Sequence, residues 1–374
     1  MKIDDKTSHN SPSIRFPEFT GEWEKCVLGD YGKVVTGNTP PTKDIENYEN
    51  GTYLWASPAD LGTHKLISET KTKLSSKGFT KTRPLSKGSV LVTCIGSTIG
   101  KTGMATREMS TNQQINSIVV NENNDNEFVY YVVQSAFPHY LSSIAVQAVP
   151  IISKSSFELL PSKRPSLQEQ NKIGKFLSLL DERISTQHRL IDRLQSLMIG
   201  IAQKIAHSNK PNVRISDCLE CSSSALQESE VNKTGKYPVY GANGIVGYID
   251  KYHTQNEAIY IIKDGSGVGG VSYVTGKCSS TGTLNILQAK NGHSLKYLYY
   301  LLKVFNFVPY KTGMAIPHIY FKDYGKAKIF CPAYPEQLEY AKLLSSIDGN
   351  LRIALDSLKN FNLQKQYLLR HMLI

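Results

Sequence analysis

The sequence predicts an α+β protein built by tandem duplication, with a mixed globule and a long helix followed by a second globule and a second long helix. Three observations carry this. From Pro165 onward, Ile173, Leu177, Leu180, Ile184, Gln187, Ile191, Leu194, Met198, Ile201 and Ile205 step by 4 and 3 without a break, the spacing of a coiled-coil seam. An offset of 167 (332 − 165) reproduces the segment as Pro332, Glu336, Gln337, Tyr340, Leu344, Ile347, Leu351, Ala354, Leu358, Phe361, Lys365, Leu368 and Met372. The globules echo each other too: Gly96-Ser-Thr-Ile-Gly100 falls on Gly265-Ser-Gly-Val-Gly269 at an offset of 169 (265 − 96). The same offset pairs residues 111–116 with 280–285 and Tyr130-Tyr131 with Tyr299-Tyr300. Pro150 meets Pro317 at 167, so the second copy has lost two residues in a loop.

Each element follows in order. Residues 1–14 read as a mobile polar arm. The first globule spans 15–164, with strands expected at 33–36, 53–56, 90–95 and 116–120 and a helix near 127–136. A loop at 145–156 leads to the first heptad helix, 165–207, which ends on the breakers His207-Ser-Asn-Lys-Pro-Asn212. The second globule spans 208–331, with strands expected at 237–240, 259–263, 270–274 and 284–287 and a helix at 294–304. The second heptad helix occupies 332–374.

At 374 residues the chain has room for two or three domains with real cores. Hydrophobic content of 40% and charged content of 20% describe a globular protein, and no run of eighteen apolar residues offers a membrane span. The Met-Lys-Ile-Asp-Asp-Lys-Thr-Ser start lacks the apolar core of a secretory signal, so a cytoplasmic location with reduced thiols is expected. Of the six cysteines only Cys218 and Cys221 are spaced C-x-x-C. A structural zinc needs a second pair, and by spacing neither Cys278 nor Cys331 supplies one; no metal site is expected. The net charge of +11 points to a polyanionic partner, although a merely basic protein without one is the lesser alternative on charge alone.

Apparent catalytic motifs dissolve on inspection. Gly265-Ser-Gly-Val-Gly-Gly270 fits a dinucleotide fingerprint, but Val271-Ser-Tyr-Val274 reads as a strand where the pyrophosphate needs a helix N-terminus. Gly96-Ser-Thr-Ile-Gly-Lys-Thr102 is one residue short of a phosphate loop. Asp60, Glu69 and Lys71 resemble a nuclease trio of a kind that polar segments produce by accident. Asn38-Thr-Pro-Pro-Thr42 is not the loop with which adenine methyltransferases hold a flipped base. No catalytic residue is assigned.

What remains is a pair of basic, loop-rich globules. Asn and Gln in their turns can bond adenine bidentately, and Lys reaches guanine or phosphate; for any one residue, ordinary polar surface is an equal account. The candidates in the first globule are Thr36, Asn38, Thr39, Lys43, Ser97, Thr98, Lys101, Gln113 and Gln114. In the second they are Tyr240, Asn243, Lys263, Ser266, Thr281, Thr283, Lys311, Thr312 and His318.

The Arg15-Phe-Pro-Glu-Phe entry, the Pro165…Glu169-Gln170…Leu180-Asp181 helix start and its echo Pro332…Glu336-Gln337…Ile347-Asp348 are similar to signatures of the specificity subunit of type I restriction–modification enzymes, and the resemblance covers essentially the whole chain. It implies that each globule is a target-recognition domain reading half of a bipartite, asymmetric site on double-stranded DNA. It implies also that the two helices pack antiparallel, giving an internal pseudo-twofold repeat, with the globules at either end. Adenine-N6 methylation and ATP-driven translocation with cleavage then belong to separate modification and restriction subunits, which carry S-adenosylmethionine, ATP and Mg²⁺; no cofactor is expected in this chain.

A forty-residue helix is about 60 Å long, so the paired seams act as a ruler for the gap between half-sites. Deleting one heptad from the first helix is expected to shorten that gap. Gln187 and Lys365 are the seam's polar exceptions; Gln187 either fixes register or snorkels at the seam's edge. The rivals are a stand-alone nuclease or methyltransferase, a helical assembly scaffold without a DNA role, and a nonspecific nucleic-acid binder.

Overall fold

A computed structural model describes residues 11–143 and 151–373. The expected arm before residue 11, and the expected loop up to Pro150, lie outside the described residues. The chain divides into two units. The first runs through Thr186 and takes in Leu358 onward; the second is Gln187–Ser357. The division falls inside both long helices, so each unit holds one globule and a portion of each helix.

The first unit is built on a five-stranded sheet in the order Gly32–Thr36, Ile115–Val120, Val90–Thr93, Thr102–Ala105, Leu66–Ile67. Its pairings are antiparallel except the last. Thr72–Leu74, Tyr53–Ala56 and Ser110–Thr111 form a three-stranded sheet beside it. The second unit repeats the plan. Leu219–Ser223, Leu284–Ala289, Glu257–Ile262 and Val271–Thr275 form an antiparallel sheet. Gly244–Ile249, Tyr237–Gly241 and Ser279–Ser280 form the smaller one.

In each unit a two-stranded ladder joins the chain's entry to the segment just before its long helix: Glu24–Val27 with Pro161–Arg164, and Val213–Arg214 with Lys328–Ile329. The fold class is therefore α+β with an internal repeat. The turns 96–100 and 265–269 each link two antiparallel strands, and no helix opens there. Gly96 and Gly265 both sit at φ +95°, with Gly100 at +87° and Gly269 at +92°, a region that costs other residues strain. Gly100 N–H closes on Thr93 O, and Gly269 N–H on Ile262 O, both at 2.9 Å.

The long helices are Leu167–Ala206 and Tyr334–Met372. Ser166 Oγ accepts from Glu169 N–H at the start of the first, as an N-cap does. After Ala206, Ser208 caps Ile205 O and Pro211 ends any continuation. Ile173, Leu177, Leu180, Ile191, Met198, Leu344, Ile347, Leu351 and Leu368 are buried; Ile184, Leu194, Leu358 and Phe361 are half-buried.

In the first unit Asp181 pairs with Lys365 at 2.6 Å, while Arg183 lies over the Phe361 ring. In the second, Gln187 Nε2 donates to Ala354 O at 2.9 Å. Partner numbers fall as residue numbers rise in the first of these unit contacts, so the helices run antiparallel there. Both polar exceptions of the seam are bonded. Asp181 also accepts from Tyr131 Oη at 2.6 Å, and burial together with that carboxylate pushes the Tyr131 phenol far above its ordinary range.

The helix starts are clasps. Gln170 Oε1 accepts from Asp125 N–H and its Nε2 donates to Asn124 Oδ1 and Pro165 O. Gln337 repeats this with Ser294 N–H and Pro332 O. Each fixes a long helix to the first turn of the shorter helix in its own globule, Asn126–Ser143 or Leu295–Val304. Residue Ile14 of the expected arm gives its N–H to His371 O.

Candidate nucleic-acid interface

In the first unit three stretches converge. The chain leaves the strand Gly32–Thr36 through Gly37, whose N–H bonds Ile115 O, and Asn38, whose N–H bonds Thr111 O. Thr36 Oγ1 donates to Asn116 Oδ1 at 2.6 Å, Asn38 Nδ2 to Lys81 O, and Thr39 Oγ1 to Gln113 Oε1. Trp55 Nε1 donates to Asn38 O. The turn 96–100 reaches the same place, because Cys94 N–H bonds Gln114 O at 2.7 Å and Gln114 N–H bonds Asn112 Oδ1.

Thr36, Asn38, Thr39, Thr98 and Gln114 are thus half-buried pieces of a bonded frame, whereas Ser97, Lys101, Gln113 and Lys43 are exposed. Lys101 rests its stem along Gly62. Lys43 adjoins Asp44, whose carboxyl the Lys81 ammonium holds below its usual range.

In the second unit the convergence is tighter. Lys263 N–H bonds Thr283 O, Ile319 N–H bonds Lys263 O, and Gly265 N–H bonds Pro317 O. Thr281 N–H bonds Tyr240 O, and the Thr281 and Thr283 hydroxyls lie 2.8 Å apart. His318 and Thr312 exchange backbone bonds, and His318 Nδ1 lies 2.6 Å from Asp264 Oδ1. Burial, with Cys278 and Tyr248 nearby, pushes the Tyr240 phenol upward, so it presents a neutral hydroxyl.

Thr281 is buried; Asn243, Ser266, Thr283, Lys311 and Thr312 are exposed. Asn243 sits in the two-residue turn that joins Gly241 to Gly244.

Sequence reasoning missed several residues at these candidate surfaces, one surface in each unit. Asp264 orients His318, and Arg83 Nη1 holds Thr36 O at 2.8 Å. Met314 is fully exposed and Ile316 is 58% exposed at the tip of the 312–318 loop. Two bulky apolar side chains projecting from a glycine-bearing loop were the available signal. The nuclease-like trio does not assemble: Asp60 is spent on Ser57 and the Lys71 N–H, and Glu69 pairs with Lys73.

Comparison with known proteins places this arrangement. The type I restriction modification DNA specificity domain matches residues 20–196 and again 208–360. The chain is 27% identical over 186 residues to the type I restriction enzyme MjaIX specificity subunit of Methanocaldococcus jannaschii, covering 48% of this chain and 43% of that protein. It is also 27% identical over 188 residues to the HindI specificity subunit of Haemophilus influenzae, covering 47% and 40%. The matches thus span somewhat under half the length of these curated relatives. The fold resembles the crystal structure of the type I restriction–modification S subunit from M. genitalium, with a TM-score of 0.69, 18% identity, and coverage of 97% of this chain and 99% of that one. With the specificity domain matched twice along its length, the chain belongs to the type I restriction–modification DNA specificity family.

Proposed function

We propose that this chain is the sequence-reading subunit of a type I restriction–modification complex. Each unit reads one half of a bipartite, asymmetric site on double-stranded DNA, and the long helices set the gap. The observation that carries this reading is one backbone with two alphabets. The same turns recur in both units, but Ser97-Thr98 becomes Ser266-Gly267 and Gln113-Gln114 becomes Gly282-Thr283. A shared frame with unlike side chains suits two unlike half-sites, because base edges are read by donor and acceptor pattern. Lys101, Lys263 and Lys311 supply phosphate contacts, which position without specifying. Met314 and Ile316 suit thymine methyl groups or a groove wall.

On this reading the chain performs no bond-making itself. Modification subunits use S-adenosylmethionine, and restriction subunits use ATP and Mg²⁺, all in the cytoplasm. The long helices support partner docking, since Phe176, Leu179 and Leu363 of the first unit, and Leu197, Ile199 and Ile353 of the second, are exposed apolar residues. No described helix is long and apolar enough to cross a membrane.

Single-molecule methylation mapping of cells with and without this gene tests the proposal. The expected result is one interrupted, asymmetric adenine-methylated motif that disappears with the gene. An unchanged methylome in cells that express the modification subunits overturns it.

A further inference from the structure

We propose that Cys218, His293 and Cys331 bind a thiophilic divalent metal ion, zinc by preference, which fastens the sheet of the second unit to the start of the second long helix. Their ligand atoms all lie within 4.8 Å of one another. Cys218 and Cys331 are buried free thiols. His293 Nδ1 is buried and has no hydrogen-bond partner among the described residues. Zinc bonds sulfur at about 2.3 Å and imidazole at about 2.0–2.1 Å, which sets tetrahedral ligands roughly 3.3–3.8 Å apart. Small side-chain rotations therefore close the site, and water completes the tetrahedron.

The three ligands are held by different parts of the unit. Cys218 ends the short helix Ile215–Cys218 where the strand Leu219–Ser223 begins. His293 stands one residue before Ser294, the N-cap of the helix Leu295–Val304. Cys331 lies between the strand Lys328–Ile329 and the long helix. Backbone bonds pin all three: Lys290 N–H to Cys218 O, His293 N–H to Lys290 O, and Cys331 N–H to Asn212 Oδ1, while Asn212 Nδ2 returns to Cys331 O.

The first unit provides an internal control. Asn121 N–H bonds Tyr31 O just as Lys290 N–H bonds Cys218 O, so Tyr31 occupies the place of Cys218. The repeat offsets put Asn124 at His293 (293 − 124 = 169) and Arg164 at Cys331 (331 − 164 = 167). There hydrogen bonds close the seam: Tyr31 Oη meets Ser162 Oγ and Lys163 O, and Asn124 Oδ1 accepts from Gln170 Nε2. In the second unit Gln337 keeps its bonds to Ser294 and Pro332, yet the three neighbouring positions carry two thiols and an imidazole. That is the ligand set a soft divalent ion selects. Cys221, the nearer partner by spacing, is outside the cluster; it pairs opposite Leu287 on the sheet.

The test uses the full chain, purified under reducing conditions. Metal analysis is expected to find a single equivalent of zinc. Cobalt(II) added to the metal-stripped chain is expected to give tetrahedral d–d bands with thiolate charge transfer, erased by zinc. Cys331→Ser and His293→Asn, the latter restoring the residue found in the first unit, are expected to lose those bands. Cys278→Ser, which removes a buried thiol elsewhere in the unit, is expected to keep them. No cobalt spectrum from the unaltered chain, a spectrum that survives Cys331→Ser, or a Cys218–Cys331 disulfide forming in the presence of equimolar zinc each overturns the proposal. Should Cys331→Ser fail to fold, His293→Asn decides, because its replacement is already tolerated at the matching position.

Discussion

Arg15 and Glu169 show what a signature residue does. Glu169 is 1% exposed and receives Arg15 Nε at 2.7 Å, Arg15 Nη2 at 2.8 Å and Trp23 Nε1 at 3.4 Å. Removing the guanidinium strands a buried carboxylate, so Arg15→Ala is expected to destabilise the first unit by about 3–5 kcal/mol. Neutralising both partners, Arg15→Met with Glu169→Gln, is expected to recover most of that loss, because Gln keeps an acceptor for the indole. At the matching position Glu336 is exposed and bonds only Tyr340 Oη in the hydrogen-bond network described, so Glu336→Ala is expected to change stability by under about 0.5 kcal/mol. Urea unfolding followed by tryptophan fluorescence reads the Arg15 and Glu169 variants, since Trp23 and Trp55 are the chain's two tryptophans and both belong to the first unit. Glu336→Ala lies in the second unit and is followed by far-UV circular dichroism instead. Equal losses for the single and double variants would remove the buried-charge account.

Among elements, the frame of the proposed reading surface in the first unit turns on Gly37. A Cβ there would lie 2.2 Å from Thr111 O and 2.3 Å from Asn112 O, contacts with backbone that no side-chain rotation relieves. Gly37→Ala is expected to displace the 38–43 loop and blur one half of the methylated motif while leaving the other half sharp. Gly200→Ala, where an added methyl meets nothing, should leave both halves intact. A motif unchanged by Gly37→Ala would take that loop out of the interface. How far such elements can be read from sequence depends on how local their causes are. The strand at 53–56 and the helix beginning near 295 follow from pattern, since each is a short apolar run bounded by turn residues. Thr102–Ala105 does not, because it is buried throughout and shows no alternation. Pro161–Arg164 is polar and becomes a strand only by pairing with Glu24–Val27, where Arg164 also bonds Glu24. The candidate loops were legible from their turn chemistry, but Thr39 with Gln113 and Asp264 with His318 are brought together by the sheets. Spacing tied Cys218 to Cys221; the fold brings it instead to Cys331, 113 residues onward (331 − 218).

At the scale of the whole molecule, the proposed ruler makes a quantitative demand. The helices are 40 and 39 residues long, and their pairing is fixed by Asp181 with Lys365 in one unit and Gln187 with Ala354 in the other. Editing one helix alone therefore leaves a heptad of the other seam facing nothing, so a single deletion conflates a shorter gap with a broken pair. A matched edit separates them: one heptad inserted after Gln187 and another before Ala354 adds a full seam repeat to both helices and keeps both polar contacts. Seven residues at about 1.5 Å each add about 10 Å, equal to roughly 3 base pairs at 3.4 Å per step. The methylated motif of that variant is expected to keep both half-sites and gain a gap longer by about 2–3 base pairs. An unchanged gap would mean that the helices do not measure the DNA, and altered half-sites would mean that the reading surfaces are not independent of the pair that joins them.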